Sequence, residues 1–252
     1  MYKGPDPGFP WLSERERFTF PLPENAKDNS VVAVGGNLSP GMLLSAYEQG
    51  LFPWYNEGDP LLWHSPDPRF VIFPDCLHVS VSMKKVLNRR EFTITFDRDF
   101  EGVVRSCSEV FRPGQGGTWI TDDIIKAYTI LHRLGWAHSA EAWSEGGLIG
   151  GCYGIRIGNV FFGESMFAKK PNASKAAFIS LARLLFDDEA AFIDCQIPTD
   201  HLRSLGGMEI SRMDFLKMLR KTLLLRRPCT AEADLLDRRG ELFIRRLSGG
   251  GL

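Results

Sequence analysis

The chain reads as an α/β (α+β) protein, a small N-terminal α+β domain followed by a larger α/β/α sandwich. Residues 137–143, 147–157 and 160–167 form three strand-like runs joined by tight turns at Glu145-Gly146-Gly147 and Gly158-Asn159, which is a meander. A helical run over 174–186 and an apolar strand over 191–196 follow directly, so the order is β-β-β-α-β and a sheet must be covered by helices. Upstream, Leu61-Leu62-Trp63-His64-Ser65-Pro66-Asp67-Pro68-Arg69 has two prolines two residues apart and predicts a rigid connector. The expected division is therefore residues 1–68 and 69–252, and 252 residues suffice to bury a large core.

In chain order, the start is rich in proline (Pro5, Pro7, Pro10, Pro21, Pro23) and should wrap a surface with little regular structure. Val31-Val32-Ala33-Val34 predicts a short strand turning at Gly35-Gly36-Asn37. Ser39 as a cap, Pro40 at the first helical position and Gly50 as a stop predict a helix over 40–49. Leu51-Phe52-Pro53-Trp54-Tyr55 is too aromatic and too proline-interrupted for a core helix. Beyond the connector the pattern predicts a helix near 81–90, a strand near 92–96, a helix near 98–110 and a loop over 112–117. Thr121 then caps a helix with Asp122 and Asp123 in its first turn and Gly135 past its end. Ser211 and Asp214 predict a capping box opening a final helix to about 224, and the glycine-ended tail from 226 should be loose.

A net charge of -1, with 44% hydrophobic and 24% charged residues, describes a soluble globular chain with no global attraction to nucleic acid. Any such partner must be held by a local patch. Five cysteines, at 76, 107, 152, 195 and 229, lack C-x-x-C spacing and argue for a reducing compartment. The N-terminus has no apolar signal region, and the most apolar helical stretch is interrupted by Ser180 and Arg183, so we expect no membrane span and a cytoplasmic location. The histidines show neither H-E-x-x-H nor paired-cysteine spacing, so no metal is expected.

The strand order is similar to that of acyl-CoA-dependent N-acyltransferases (GNAT-like), which hold a pyrophosphate on glycine-spaced backbone N–H groups at a helix start. Here the corresponding turn, Ala168-Lys169-Lys170-Pro171-Asn172-Ala173-Ser174, has no glycine and a proline that removes one donor. Coenzyme A is therefore not expected, and no Walker loop is present. The reading is of no cofactor, with any acyl group arriving already activated.

Several runs together are more specific. Gly35-Gly36-Asn37-Leu38-Ser39-Pro40, Gly50-Leu51-Phe52-Pro53-Trp54-Tyr55, Trp63 to Arg69, Gly117-Thr118-Trp119-Ile120-Thr121, Phe161-Phe162-Gly163-Glu164-Ser165-Met166-Phe167 and Asp194-Cys195-Gln196 closely resemble, in collinear order, the bacterial leucyl/phenylalanyl-tRNA-protein transferases. The resemblance implies transfer of Leu, Phe and to a lesser degree Met from aminoacyl-tRNA to proteins beginning with Arg or Lys, which tags them for N-end-rule degradation. The alternative is a non-catalytic module that binds tRNA ends or N-terminal peptides. A monomer is the expected state.

The same resemblance implies that Trp54 and Trp119 stack on the 3'-terminal adenosine; both flank turn residues, and such stacking is worth roughly 1–3 kcal/mol. Packing in the core is the alternative for either tryptophan. Phe161, Phe162, Met166 and Ile193, with Cys152, are candidates for the aminoacyl side-chain pocket. Strand alternation prevents them from sharing one pocket unless the strand bulges. Glu164 is cast as orienting the acceptor terminus, with a salt-bridged strand-edge acid as the alternative. Asp194 and Gln196 share a strand face; the expectation is that Asp194 fixes the Gln196 rotamer and stabilises charge on the amine, while Gln196 orients the amine or donates to the oxyanion. Cys195, with His138 or His201 as base, is the rival nucleophile but should point to the other face. Lys84, Lys85, Arg89, Arg90, Lys169 and Lys170 are candidates for the tRNA backbone, against a reading as solvated surface that also covers Arg226-Arg227 and Arg245-Arg246. Asn37, His64, Cys152 and Ala168 depart from the family pattern, which has Asp, Trp, Leu or Met, and Ser.

Overall fold

A computed structural model of the chain describes residues 3–26, 30–110 and 118–224. Its smaller sheet is antiparallel and ordered β1-β3-β2, from β1 (Val31–Val34), β2 (Phe52–Pro53) and β3 (Leu62–His64). The larger has seven strands: β4 (Arg69–Ile72), β5 (Thr93–Phe96), β6 (Ala137–Ser144), β7 (Gly147–Ile157), β8 (Val160–Ala168), β9 (Phe192–Gln196) and β10 (Met208–Ile210). They are ordered β10-β4-β9-β8-β7-β6-β5, and every adjacent pair is antiparallel except β8 and β9. Two parallel neighbours need a crossover, which α5 (Ala173–Asp187) supplies.

Helices cover both faces of this sheet. On one lie α1 (Pro40–Glu48), α3 (Phe100–Ser108), α4 (Asp122–Arg133) and α7 (Arg212–Leu224), whose Tyr47, Val103, Tyr128 and Leu219 bury Tyr153, Ile155, Phe162 and Phe192. On the other, α2 (Val81–Asn88) and α5 bury Ala140, Cys152, Phe161 and Ile193. The period of two along each strand assigns these residues, so Phe161 and Phe162 feed opposite cores. Helix α5 sits close because its buried face carries Ala173, Ala176, Ala177 and Ala182. Gly150 of β7 matches it: a Cβ there would lie 2.6 Å from that of Ala173.

Residues 3–26 wrap α1 with only one short 3-10 turn, Pro23–Asn25. The wrap is fixed by polar contacts: Gly41 N–H donates to Leu12 O (3.0 Å), Phe18 N–H to Ser45 Oγ (2.8 Å) and Phe20 N–H to Gln49 Oε1 (3.0 Å). Gly41 is required here, since a Cβ would come within 2.3 Å of Ser13 O. Phe20, Met42, Tyr47 and Trp63 join one apolar cluster with Val104, Tyr128 and Phe215, so the N-terminal segment completes a layer over the sheet.

Several expectations need correction. The proline connector contains β3 and leads straight into β4, a strand buried along its whole length; the prolines masked an element that carries only four residues. Strand β10 and α6 (Asp200–Arg203) were not expected either. Ser39 makes no capping hydrogen bond; its N–H instead donates to Asn37 Oδ1 at 3.1 Å. Thr121 does cap α4, accepting from Ile124 N–H, and Ser211, just before α7, pairs with Asp214 in its first turn. The loop expected over 112–117 and the tail from 226 lie outside the described residues.

Candidate active site

Strands β8 and β9 are in parallel register only at Val160 with Phe192, Phe161 with Ile193 and Phe162 with Asp194. Beyond that point β8 follows β7 and β9 follows β4, so the sheet splits at the C-terminal ends of its parallel pair. Two local irregularities mark the split. In β8, Tyr153 faces Ser165 and Gly154 faces Gly163, leaving Glu164 as an extra, bulged residue. In β9, Gln196 has a φ of 58°, and Ile197 N–H donates to Cys195 O at 2.7 Å, closing a three-residue turn that ends the strand. A non-glycine residue held left-handed costs about 1 kcal/mol or more and must be over-determined by its surroundings. A cavity of about 460 Å³ opens in the gap.

The bulge decides which apolar residues reach that cavity. Without it Phe161 and Met166, five apart, would face opposite sides; with it Met166 lies opposite Cys152, and Phe161, Cys152 and Met166 all line the cavity. Phe178 and Ser174 of α5 complete this wall and were not anticipated, because the helix is amphipathic toward a core and nothing in its periodicity marks a pocket. Phe162 and Ile193 are corrected out of the lining. Phe162 packs against Tyr47 with ring centroids 5.1 Å apart in the other core, and Ile193 is buried under α5.

Glu164 and Gln196 meet across the split. Gln196 Nε2 donates to Glu164 Oε1 at 3.2 Å, Tyr47 Oη donates to the same oxygen at 2.7 Å, and Tyr128 Oη bonds Oε2 at 3.2 Å. The two tyrosine hydroxyls are also hydrogen-bonded to each other. Burial pushes Glu164 up from 4.5 to about 7, the tyrosine hydrogen bonds and Arg69 working against that rise and Asp194 adding to it. Burial likewise holds Tyr47 and Tyr128 well above 10, so both are neutral hydroxyls. The salt-bridged alternative for Glu164 does not apply: its partners are hydroxyls and an amide.

Asp194 plays a different part from the one expected. It is 0% exposed and does not line the cavity. Arg69, also 0% exposed, grips it with both arms: Nε to Oδ1 at 2.9 Å and Nη2 to Oδ2 at 2.6 Å. Oδ1 further accepts the Gln196 main-chain N–H at 3.0 Å. Asp194 therefore fixes the left-handed backbone of Gln196, and Glu164 holds its side-chain amide. What separates Asp194 from a substrate amine is its place: it is fully buried behind Gln196 and outside the cavity lining. Arg69 also donates from Nη1 to Gly50 O at 3.2 Å and lies between the Phe52 and Phe215 rings, 5.0 and 4.3 Å from their centroids. One signal for Arg69 existed in the sequence, a cation flanked by Phe70 and a proline-rich run, but charge on a short segment is normally surface.

Trp54 and Trp119 both border the cavity and are half-buried. Tyr55 Oη and Thr121 Oγ1, 3.2 Å apart, tie the two tryptophan segments together. His64 steadies Trp54: its Nε2 lies 3.0 Å from the Trp54 carbonyl, which fixes the proton on Nε2, and Nδ1 then accepts from Ser30 Oγ at 3.0 Å. Burial lowers the His64 pKa, so the neutral ring is favoured.

Lys84, Lys85, Arg89 and Arg90 are exposed on and just after α2 and do not line the cavity. Lys169 and Lys170 follow directly on Ala168, a lining residue, and so stand near its edge; Lys170 Nζ donates to Ser144 Oγ at 3.3 Å. Cys195 lines the cavity at 7% exposure, but burial and the Asp194 charge push its thiol far up, away from thiolate. No hydrogen bond joins it to His138 or His201 among the described residues, and His138 Nδ1 is 2.8 Å from Asp97. Among the described residues no group of three or more His, Cys, Asp or Glu could hold a metal ion, and no helix is long and apolar enough to cross a membrane.

Comparison with known proteins gives this site a setting. A family model described as leucyl/phenylalanyl-tRNA protein transferase matches residues 71–220, and its N-terminal domain model matches residues 36–67. The chain belongs to this family. The transferase of Maridesulfovibrio salexigens is 53% identical over 205 residues, covering 81% of this chain and 85% of the relative. That of Myxococcus xanthus is 50% identical over 212 residues, covering 84% and 91%. Among solved structures, L-PGS from Bacillus licheniformis is 16% identical with a TM-score of 0.38, covering 54% of this chain and 48% of its own. A GCN5-related N-acetyltransferase from Kribbella flavida is 10% identical with a TM-score of 0.36, covering 69% and 62%. The cavity lining, the bulge at Glu164 and Asp194 of this transferase-family chain lie within the two matched segments, and Arg69 falls in the short gap between them.

Proposed function

We infer that the protein moves Leu or Phe, and Met to a lesser degree, from aminoacyl-tRNA to the N-terminal Arg or Lys of acceptor proteins, marking them for N-end-rule degradation. The observation that carries this is one cavity bordered by two half-buried tryptophans, walled by Phe161, Met166 and Phe178, and closed by the Glu164–Gln196 pair. In this reading the adenosine stacks on Trp54 and Trp119, the aminoacyl side chain fills the apolar wall, and the ester carbonyl sits beside Gln196. Charged donor side chains are rejected by their desolvation cost. The Gln196 Oε1, with no hydrogen-bond partner among the described residues, accepts from the amine, and Lys169 and Lys170 hold phosphates at the edge. The catalytic part acts as an N-acyltransferase-like sandwich in which the split parallel pair receives an aminoacyl ester. Positioning an amine against an activated ester needs no nucleotide, and orientation supplies several kcal/mol of the barrier reduction.

A transfer assay with Phe-charged tRNA and an Arg-starting peptide tests this. Product should form equally with and without ATP or acetyl-CoA, and an Ala-starting peptide should be a poor acceptor. Binding of charged tRNA without product would instead support a non-catalytic module.

A further inference from the structure

The cluster around Glu164 has a proton count that does not balance when its carboxyl is ionised. Tyr47 contacts Tyr128, Tyr47 contacts Oε1 and Tyr128 contacts Oε2, three hydrogen bonds forming a closed triangle. Two phenolic protons can fill only two of them. A third proton on Glu164 completes the ring: Glu164 donates to Tyr128, Tyr128 to Tyr47, and Tyr47 back to Glu164. The ring is thus fully satisfied only after the carboxylate has taken up a proton, and in a water-poor wall an unfilled contact is costly.

The carboxyl is also the acidic group that meets the cavity. Around it stand Tyr47 from α1, Tyr128 from α4, Gln196 at the end of β9, and behind that the Arg69–Asp194 pair from β4 and β9, whose charges are spent on each other. An acceptor amine held by Gln196 has beside it the Glu164 carboxyl, 3.2 Å from the Gln196 amide nitrogen, while the other basic side chain in the lining, His201, stands on α6.

We propose that Glu164, seated on the Tyr47–Tyr128 hydroxyl pair, is the general base that deprotonates the acceptor α-amine, with Gln196 as a positioning group. The proposal rests on the aminoacyl-transfer reading and names the group that makes the amine nucleophilic. The α-ammonium passes one proton to the carboxylate, and its lone pair forms the C–N bond to the ester carbonyl. The bond from that carbon to the ribose oxygen breaks, and a second proton from the attacking nitrogen ends on the leaving hydroxyl. Glu164 then returns its proton to solvent. An α-amine with a pKa near 7.7–8.0 is mostly protonated at neutral pH, so the step is needed. The poise of Glu164 near 7 suits a base of that task.

The test compares wild type with E164Q in single-turnover transfer from Phe-charged tRNA, using an Arg-starting peptide and, separately, hydroxylamine, whose nitrogen is already unprotonated near neutral pH. Against the peptide, E164Q should lose about 100-fold or more at pH 7, and the wild-type limb should disappear from its pH profile. Against hydroxylamine the deficit should shrink below about tenfold, as expected when only proton removal is lost. Y47F and Y128F should lower kcat toward the peptide while leaving KM for charged tRNA unchanged. Equal deficits with both nucleophiles, or an unchanged pH limb in E164Q, would overturn the proposal alone. A wild-type enzyme forming no product with either would remove the transfer reading and the proposal together.

Discussion

The two sides of the cavity are built by opposite means. At the mouth, Trp54 and Trp119 are half-buried, sit beside turns and rely on flat apolar faces left open toward the cavity. At the floor, Glu164, Tyr47, Tyr128 and Gln196 are closed by hydrogen bonds, and behind them Arg69 and Asp194 form an ion pair with no exposure at all. A stacking face can be removed at smaller cost to the fold, because both tryptophans are only half-buried where they pack against the core. A buried charge cannot, because its partner is then left alone in a low-dielectric interior. Binding and stability should therefore separate at the mouth and move together at the floor.

The largest effect should come from breaking the ion pair. R69M or D194L alone leaves one buried charge unpaired and should destabilise the protein by about 3–5 kcal/mol, read from denaturant unfolding. The double variant should recover most of that loss, since two apolar side chains replace two mutually compensated charges. Transfer activity should not recover with it, because Gln196 loses the carboxylate that holds its left-handed main chain. A double variant that regains turnover as well as stability would show that the pair is only scaffold.

Next in size is the floor's dependence on pH. Glu164 is raised from 4.5 to about 7, so the folded protein binds a proton there more tightly than the unfolded chain does. For a raised acid the stabilisation is full below the unfolded value and is lost as pH climbs from about 4.5 to about 7. E164Q removes the charge and should be more stable than wild type at pH 8, an advantage that fades as pH falls through that window. About 3 kcal/mol is the ceiling, and cavity water around a half-buried carboxyl brings the difference below it. No difference between the two proteins at pH 8 would mean that Glu164 ionises at no cost.

At the mouth, W54A and W119A should each raise KM for charged tRNA while the unfolding midpoint falls less than in R69M or D194L. One lost stack is worth roughly 1–3 kcal/mol, or about 5- to 150-fold. A KM that does not move, with a falling midpoint, would return the tryptophan to core packing.

How far the sequence foretold this arrangement differs between mouth and floor as well. The meander, the crossover helix and strand β9 were legible because period-two alternation and glycine turns are local signals. Trp54 and Trp119 were expected at the site from the family resemblance, with their place beside turns as support, and both border the cavity. The bulge at Glu164 was invisible: it exists only as a count of residues against a neighbouring strand, and it alone decides that Met166 reaches the cavity and Phe162 does not. Arg69, Tyr47 and Tyr128 are separated from their partners by 125, 117 and 36 positions, so no spacing rule links them to Asp194 or Glu164. The expected contact from Asp194 to the Gln196 side chain is absent for the same reason: an arginine from another strand bonds both oxygens, and Asp194 reaches Gln196 through its main-chain N–H.

The smallest expected effect concerns Cys195, which belongs to neither side. It lines the cavity, yet its thiol is held protonated by burial and by the charge of Asp194, and among the described residues no histidine is hydrogen-bonded to it. C195S changes one buried atom and should leave transfer within about threefold of wild type, with stability lowered by about 1 kcal/mol for a hydroxyl placed in an apolar wall. Alkylating reagents should react slowly with Cys195 and faster with exposed Cys76, which mass spectrometry of modified peptides can resolve. If C195S abolished transfer while keeping its fold, the attacking group would have to be this thiol, and the division of labour between an aromatic mouth and a polar floor would no longer describe the chemistry.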